Sequence, residues 1–145
     1  MTLVRDLLAQ KGNAIWTISC QASIKDALSL MAEKMIGALV VTDVGYVVGV
    51  FSERDYARKA ISLPEFSVEM VVDQLMTRRV LYCIPEETVD ECMALMTQRN
   101  IRHLPVLEEG ILVGMISIGD VVKTTLSEMD NRIKDLEDYL WIHMI

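Results

Sequence analysis

Basic side chains are scarce in this sequence, and those that are present form no run. The 145 residues include 14 Lys and Arg against 21 Asp and Glu, so the formal net charge is −7. A nucleic-acid-binding surface needs a basic stripe that neutralises phosphates, and we therefore expect no nucleic-acid partner. A small anionic ligand is still compatible with this composition, because one or two arginines are enough to bind it locally.

Cysteine and histidine are few as well. The three cysteines, Cys20, Cys83 and Cys92, form no CxxC pair. This pattern argues against a disulfide framework and favours a reducing compartment, with each thiol acting as a small buried apolar group. Neither His103 nor His143 has other metal-ligating residues near it at the spacing of a metal site. Neither can be paired with a nucleophilic side chain from its position in the sequence. We therefore expect neither a metal site nor an enzyme.

Long apolar runs are absent although 52% of the residues are apolar. Acidic residues such as Asp43 and Glu108 interrupt each stretch before it reaches the ~20 residues that span a membrane. The first residues also lack the basic-then-apolar order of a signal peptide. We expect a soluble cytoplasmic protein with no membrane partner. Only 3 Pro and 7 Gly are present, which favours a globular chain over a disordered one.

The most informative feature that is present is an internal repeat. Residues 45–55 read GYVVGVFSERD, and 65 positions later residues 110–120 read GILVGMISIGD. Sliding residues 23–58 onto 88–123 gives ten identities in 36 positions, which indicates a duplication. A second, shorter repeat, which we call the echo of the leading helix, relates Val4–Lys11 to residues 71–76 at an offset of 68. Each half of about 60 residues would be marginal alone, so we expect the halves to share one core.

Hydrophobic periodicity predicts an α/β (α+β) fold built from two β-α-β-β-α units. In the first unit we predict a leading helix at 4–11, strand 14–18, a Ser23-capped helix to Lys34, strands 39–42 and 46–51, and a helix at 52–61. In the second we predict a helical turn at 71–76, strand 80–84, a Thr88-capped helix to Gln98, strands 104–107 and 111–116, and a helix from Gly119. The predicted domains are 4–62, 68–126 and a C-terminal helical extension at 127–145.

The last predicted helix continues beyond the repeat. Its apolar residues follow a heptad spacing, namely Val122, Leu126, Met129, Ile133, Leu136 and Leu140, and an apolar tail of Trp141, Ile142, Met144 and Ile145 follows them. Such a seam packs against another helix or against the same domain. One alternative is that the helix folds back on its own domain, and the other, which we expect, is a homodimer.

A serine precedes an aspartate by three residues in both copies of the repeat, at the predicted turn from strand to helix. These pairs are Ser52 with Asp55 and Ser117 with Asp120. A carboxylate at this place can accept hydrogen bonds from both vicinal hydroxyls of a ribose, and the free N–H groups of the following helix favour a phosphate. The alternative is that these residues only cap their helices.

With both motifs in place, the sequence resembles tandem cystathionine-beta-synthase (CBS) domains, also called Bateman modules. The resemblance rests on residues 45–55 and 110–120, together with IGALVV at 36–41 and IRHLPV at 101–106. It covers residues 4–126 and looks strongest to members that consist of one CBS pair. It implies two repeats related by a pseudo-twofold axis, with two clefts that bind adenine nucleotides.

The resemblance also implies the residues of each cleft. The first would combine Ser52, Arg54, Asp55, Tyr82, Cys83, Ile84, Arg102, His103 and Leu104. The second would combine Thr17, Ile18, Gly37, Ala38, Leu39, Ser117 and Asp120. The first cleft has two arginines and a histidine where the second has two glycines and an alanine, so we expect phosphate to prefer the first. Protonation of His103 should raise that affinity as pH falls from 8 to 6.

These expectations describe a regulatory module that binds AMP, ADP, ATP or a related adenosyl ligand and modulates a partner protein. AMP is the ligand that we expect, and no cofactor is required. The alternative is a structural or protein-interaction module whose clefts are vestigial.

Overall fold

The computed structural model describes residues 1–12 and 14–142, with side chains described as far as residue 139. The predictions made for His143 and for the side chains of Leu140 and the apolar tail lie outside the described residues. Within them, the predicted mixed α/β class is confirmed. The first half contains α1 (Val4–Lys11), β1 (Thr17–Ser19), α2 (Ile24–Lys34), β2 (Ala38–Asp43), β3 (Tyr46–Ser52), α3 (Glu53–Lys59) and a 3-10 turn (Ala60–Ser62). The second half contains a 3-10 turn (Val72–Gln74), α4 (Val89–Arg99), β4 (His103–Glu108), β5 (Ile111–Ser117) and α5 (Ile118–Ile142).

The helix that follows the first strand position begins in the same way in both halves. The Ser23 hydroxyl accepts a hydrogen bond from the Asp26 N–H at 3.0 Å, and the Thr88 hydroxyl accepts one from the Glu91 N–H at 3.0 Å. Each bond satisfies a backbone donor that the first helical turn leaves free. Both predicted caps are confirmed, and they fix the register in which the two halves correspond.

The sheets of the two halves differ in one strand. The first half has β1 parallel to β2 and β2 antiparallel to β3, whereas the second has only the β4–β5 hairpin. The predicted strand at 80–84 is therefore wrong, and a single parallel bridge joins Cys83 to Val106. In the first half the Val40 N–H donates to the Trp16 carbonyl. The matching residue is Pro105, which has no N–H to donate.

The two halves exchange their leading segments. Val4, Leu7 and Leu8 of α1 are buried in a cluster with Cys92, Leu104 and Ile116 of the second half. Val72, Leu75 and Met76 are buried in a separate cluster with Ile24, Leu39 and Phe51 of the first half. The expected single shared core is thus wrong. Each half has its own cluster, completed by the segment that precedes the other half along the chain.

A glycine in each hairpin makes this exchange possible. A Cβ on Gly49 would lie 2.7 Å from Met76 Sδ and 2.8 Å from the Thr77 carbonyl oxygen, and a Cβ on Gly114 would lie 2.7 Å from Leu8 Cδ2. Thr77 also exchanges two backbone hydrogen bonds with Val50. The glycines therefore mark the places where the exchanged segments contact the backbone of the strands.

Helix α5 extends beyond the rest of the fold. Its 25 residues span about 37 Å at 1.5 Å per residue, and the Thr2 hydroxyl donates a hydrogen bond to Glu128 near its middle. The apolar stripe is 45–64% exposed and consists of Val122, Leu126, Met129, Ile133 and Leu136. The fold-back alternative is therefore wrong for the described part of this helix. No helix among residues 1–12 and 14–142 is long and apolar enough to cross a membrane.

Candidate functional site

A cavity of about 350 Å³ lies between the two halves at the junction of β3 and α3. We call it the first cleft. The residues that line it are Gly37, Val50, Ser52, Glu53, Arg54, Asp55, Arg58, Lys59, Thr77, Arg79, Val80, Leu81, Asn100, Ile101, Arg102 and His103. Both halves therefore contribute to one cavity.

Both carboxylate oxygens of Asp55 have partners in the first cleft. Its Oδ2 accepts hydrogen bonds from the backbone N–H and the hydroxyl of Ser52, both at 3.0 Å. Its Oδ1 accepts one from the Thr77 hydroxyl at 2.9 Å and lies 3.2 Å from Lys59 Nζ. The Oδ2 atom is thus committed to the cap of α3, while Oδ1 faces partners that a ligand hydroxyl could replace. Capping and ligand binding are compatible at this residue.

The first cleft collects positive charge in a protein whose net charge is negative. Five basic residues line it, against the two acidic residues Glu53 and Asp55. The basic residues are Arg54, Arg58, Lys59, Arg79 and Arg102. Burial, together with the positive charges of Arg58 and Arg102, lowers the pKa of Arg54 from its usual value. Such mutual repulsion among cations is relieved by a bound anion.

Several residues predicted for the first cleft line it, and others do not. Ser52, Arg54, Asp55, Arg102 and His103 do. Cys83 and Leu104 are completely buried in the core cluster of the second half. Tyr82 and Ile84 are 52% and 38% exposed and lie outside the lining. The chain contributes residues 79–81 instead, three positions before the predicted ones.

A second cavity of about 390 Å³ lies on the other side of the interface between the halves. We call it the second cleft. Its lining is Lys11, Gly12, Ala14, Trp16, Met35, Ile36, Gly37, Ala38, His103, Met115, Ser117 and Asp120. Of the predicted residues, Gly37, Ala38, Ser117 and Asp120 are present. Thr17, Ile18 and Leu39 are not, and Leu39 is fully buried in the core cluster of the first half.

Lys11 forms an ion pair with Asp120, the carboxylate of the second cleft. Its Nζ lies 2.6 Å from Asp120 Oδ2 and also donates to the Met115 carbonyl at 2.6 Å. Burial alone would raise the pKa of Asp120, but the hydrogen bonds from Lys11 and from the Ser117 N–H lower it. The expectation that the second cleft carries no cation is therefore wrong. The exchanged helix α1 supplies one, and the offset of 68 that relates α1 to its echo pairs Lys11 with Arg79 of the first cleft.

His103 lies between the two clefts and lines both. A Cβ on Gly37 would be 3.6 Å from Cε1 and Nε2 of its ring, so the imidazole packs against the backbone of the other half. Burial and the nearby charge of Lys11 lower the pKa of His103. Protonation of the ring is therefore displaced to lower pH, and the gain in phosphate affinity expected between pH 8 and 6 stays a prediction.

The chain matches a known family model and several known proteins. The CBS domain family matches residues 4–62 and 72–127. The "CBS domain-containing protein CBSX3, mitochondrial" of Arabidopsis thaliana is 33% identical over 96% of this chain and 72% of its own length.

Two solved structures show the same fold. A protein with CBS domains from Burkholderia ambifaria MC40-6 is 45% identical, with a TM-score of 0.82, over 88% of this chain and 95% of that one. The CBS domain pair of protein MJ0100, solved with 5'-methylthioadenosine and S-adenosyl-L-methionine, is 26% identical, with a TM-score of 0.77, over 88% and 98% of the two chains. This chain belongs to the CBS domain family, with two repeats arranged as a CBS pair.

Proposed function

We propose that this CBS pair is a regulatory module that binds an adenine nucleotide, with AMP the expected ligand, in the first cleft. The observation that supports it most directly is the excess of positive charge in that cavity, beside Oδ1 of Asp55, whose partners Thr77 and Lys59 a ligand hydroxyl could replace. A carboxylate for the ribose and arginines for the phosphate are the groups that a nucleotide requires. A related CBS pair is described with two adenosyl ligands, which supports the same class.

The second cleft favours a different ligand or none. Among the described residues, Lys11 is the one Lys or Arg residue in its lining, whereas five such residues line the first cleft, so the second cleft offers a phosphate less positive charge. We therefore assign the nucleotide to the first cleft and expect weaker or no binding in the second.

The exposed stripe on α5 supports a homodimer as the assembly. Five apolar side chains at heptad spacing, 45–64% exposed, cost free energy in water, and a second copy offers the same stripe. An interaction module with vestigial clefts is the alternative function that this surface favours. We propose that ligand occupancy is passed on to a protein partner, and that the cytoplasm is the compartment, since Cys20, Cys83 and Cys92 are all free thiols.

Calorimetry with AMP and adenosine tests the proposal. The parent should bind AMP at least tenfold more tightly than adenosine, because charge-assisted hydrogen bonds are about twice as strong as neutral ones. Arg102→Ala should weaken AMP and leave adenosine nearly unchanged. Arg99→Ala removes the same charge from the exposed end of α4, outside the lining, and should leave AMP binding unchanged. Equal affinities of the parent for AMP and adenosine would exclude a phosphate site.

A further inference from the structure

A cluster of metal-ligating side chains lies outside both clefts. The thiols of Cys83 and Cys92 and a carboxylate oxygen of Glu87 are all within 4.8 Å of one another. Both thiols are fully buried, and Glu87 is half-buried, so the cluster has one side toward solvent. Glu87 directly precedes the Thr88 cap of α4, and Cys92 is in the first turns of that helix. One loop and one helix therefore bring the three groups together.

The duplicated half supplies an internal control for this cluster. The bridge from Cys83 to Val106 corresponds to the pair Ile18 and Val41 in the first half. The helix caps Thr88 and Ser23 correspond as well. The first-half residues that correspond to the three members of the cluster are therefore Ile18, Ala22 and Ala27. Ala27 is completely buried, as Cys92 is.

This comparison shows that packing alone requires no ligand at these positions. The first half builds the same capped helix and the same hairpin around this position with three apolar side chains. At the same three positions the second half has two thiols and a carboxyl group, which lie close together in the structure. Single buried cysteines are ordinary core residues, but three coordinated differences at one point indicate a common role.

We propose that Cys83, Glu87 and Cys92 bind a zinc ion. Zinc accepts thiolate sulfur at about 2.3 Å and carboxylate oxygen at about 2.0–2.2 Å, so two sulfurs of a tetrahedral site lie about 3.8 Å apart. The three donor atoms, all within 4.8 Å of one another, need to draw closer to reach such separations. Binding releases the thiol protons to solvent as the two zinc–sulfur bonds form, and water completes the fourth position from the side of Glu87. The site is independent of the nucleotide clefts.

The test uses the full chain in its reduced form, with three free thiols verified by titration. Co²⁺ serves as the spectroscopic probe, and Zn²⁺ is added to displace it. We expect one Co²⁺ per chain with a thiolate-to-cobalt charge-transfer band, full displacement by one Zn²⁺, and a higher melting temperature with Zn²⁺.

Three variants separate a built site from adventitious thiol binding. Glu87→Gln, at a half-buried position that the core does not need, should weaken Zn²⁺ at least tenfold. Cys92→Ala restores the residue type of the first half and should abolish the band. Cys20→Ala removes the buried cysteine of the other half and should leave the cobalt band and the Zn²⁺ affinity unchanged. A parent without the band or without retained zinc would overturn the proposal, as would a folded Cys92→Ala variant with the parent's affinity.

Discussion

Lys11 Nζ lies 2.6 Å from Asp120 Oδ2, although 109 residues separate them in the chain. The pair joins the exchanged helix α1 to the turn between β5 and α5. It also occupies the carboxylate that corresponds to Asp55 in the first cleft. Both aspartates thus have a lysine partner, Lys59 for Asp55 and Lys11 for Asp120, and the two clefts differ in how many other basic residues line them.

Replacing Lys11 should lower the free energy of unfolding by the contribution of this ion pair. Lys11→Met keeps the aliphatic stem and should destabilise the fold by about 1 kcal/mol at pH 7, the upper range for a partly exposed ion pair. The pKa of Asp120 is lowered in the folded state from its usual 3.8. The contribution is therefore complete above that value and is lost as pH falls through the lower folded pKa. Urea unfolding should show a constant difference from the parent between pH 7 and about 5, shrinking below about 4. Lys25→Met, at an exposed position of α2, should show no such loss.

Asp55 should affect nucleotide binding more than helix capping. Asp55→Ala should weaken AMP by about 1.5–3 kcal/mol, the loss of hydrogen bonds to a charged group. Asp55→Asn keeps an oxygen for the Ser52 N–H and should be more stable than Asp55→Ala, while still losing the charge. Calorimetry and urea unfolding measure the two effects separately. An AMP affinity for Asp55→Ala within twofold of the parent would leave Asp55 with a capping role alone.

His103 should contribute no charge to AMP binding at neutral pH. Because its pKa is lowered, the ratio of AMP affinities of the parent and His103→Gln should be constant from pH 8 to 7. It should rise in favour of the parent only at a pH below the usual titration range of histidine, where the ring takes up a proton. Taking the ratio cancels the titration of the phosphate itself. A ratio that already changes between pH 8 and 7 would contradict a neutral ring.

The two hairpin glycines should differ in their tolerance of alanine. Gly49→Ala would place Cβ 2.8 Å from a backbone carbonyl oxygen, whereas Gly114→Ala meets the end of the Leu8 side chain. Backbone moves less readily than a leucine methyl, so Gly49→Ala should cost about 1–3 kcal/mol and Gly114→Ala less. Gly119→Ala, whose Cβ meets only the Ser117 hydroxyl at 3.6 Å, is the control and should not destabilise. Equal losses at Gly49 and Gly114 would show that both contacts can relax.

The stripe on α5 should hold the proposed dimer. Leu126→Glu combined with Ile133→Glu places two charges in a contact that excludes water, so light scattering should show the monomer mass. Ser127→Glu combined with Asn131→Glu adds the same charge outside the stripe and should stay dimeric. A dimer that survives the first pair of substitutions would move the interface to another surface.

The features that the sequence determined are local. The caps at Ser23 and Thr88, the two hairpins and the capping boxes of the Ser-x-x-Asp pairs depend on groups three or four residues apart and on strand or helix periodicity. The duplication and the family follow from the same signals, because they repeat in one register.

Only the tertiary structure decided what comes together across the chain. The exchange of α1 and residues 72–76, the placement of Lys11 on Asp120 and the convergence of Cys83 with Cys92 depend on which faces pack together, and periodicity does not specify the partner of a face. The strand predicted at 80–84 fails for the same reason. Pro105 is visible in the sequence, but its missing N–H matters only once the matching Val40 is seen to donate its N–H to the Trp16 carbonyl.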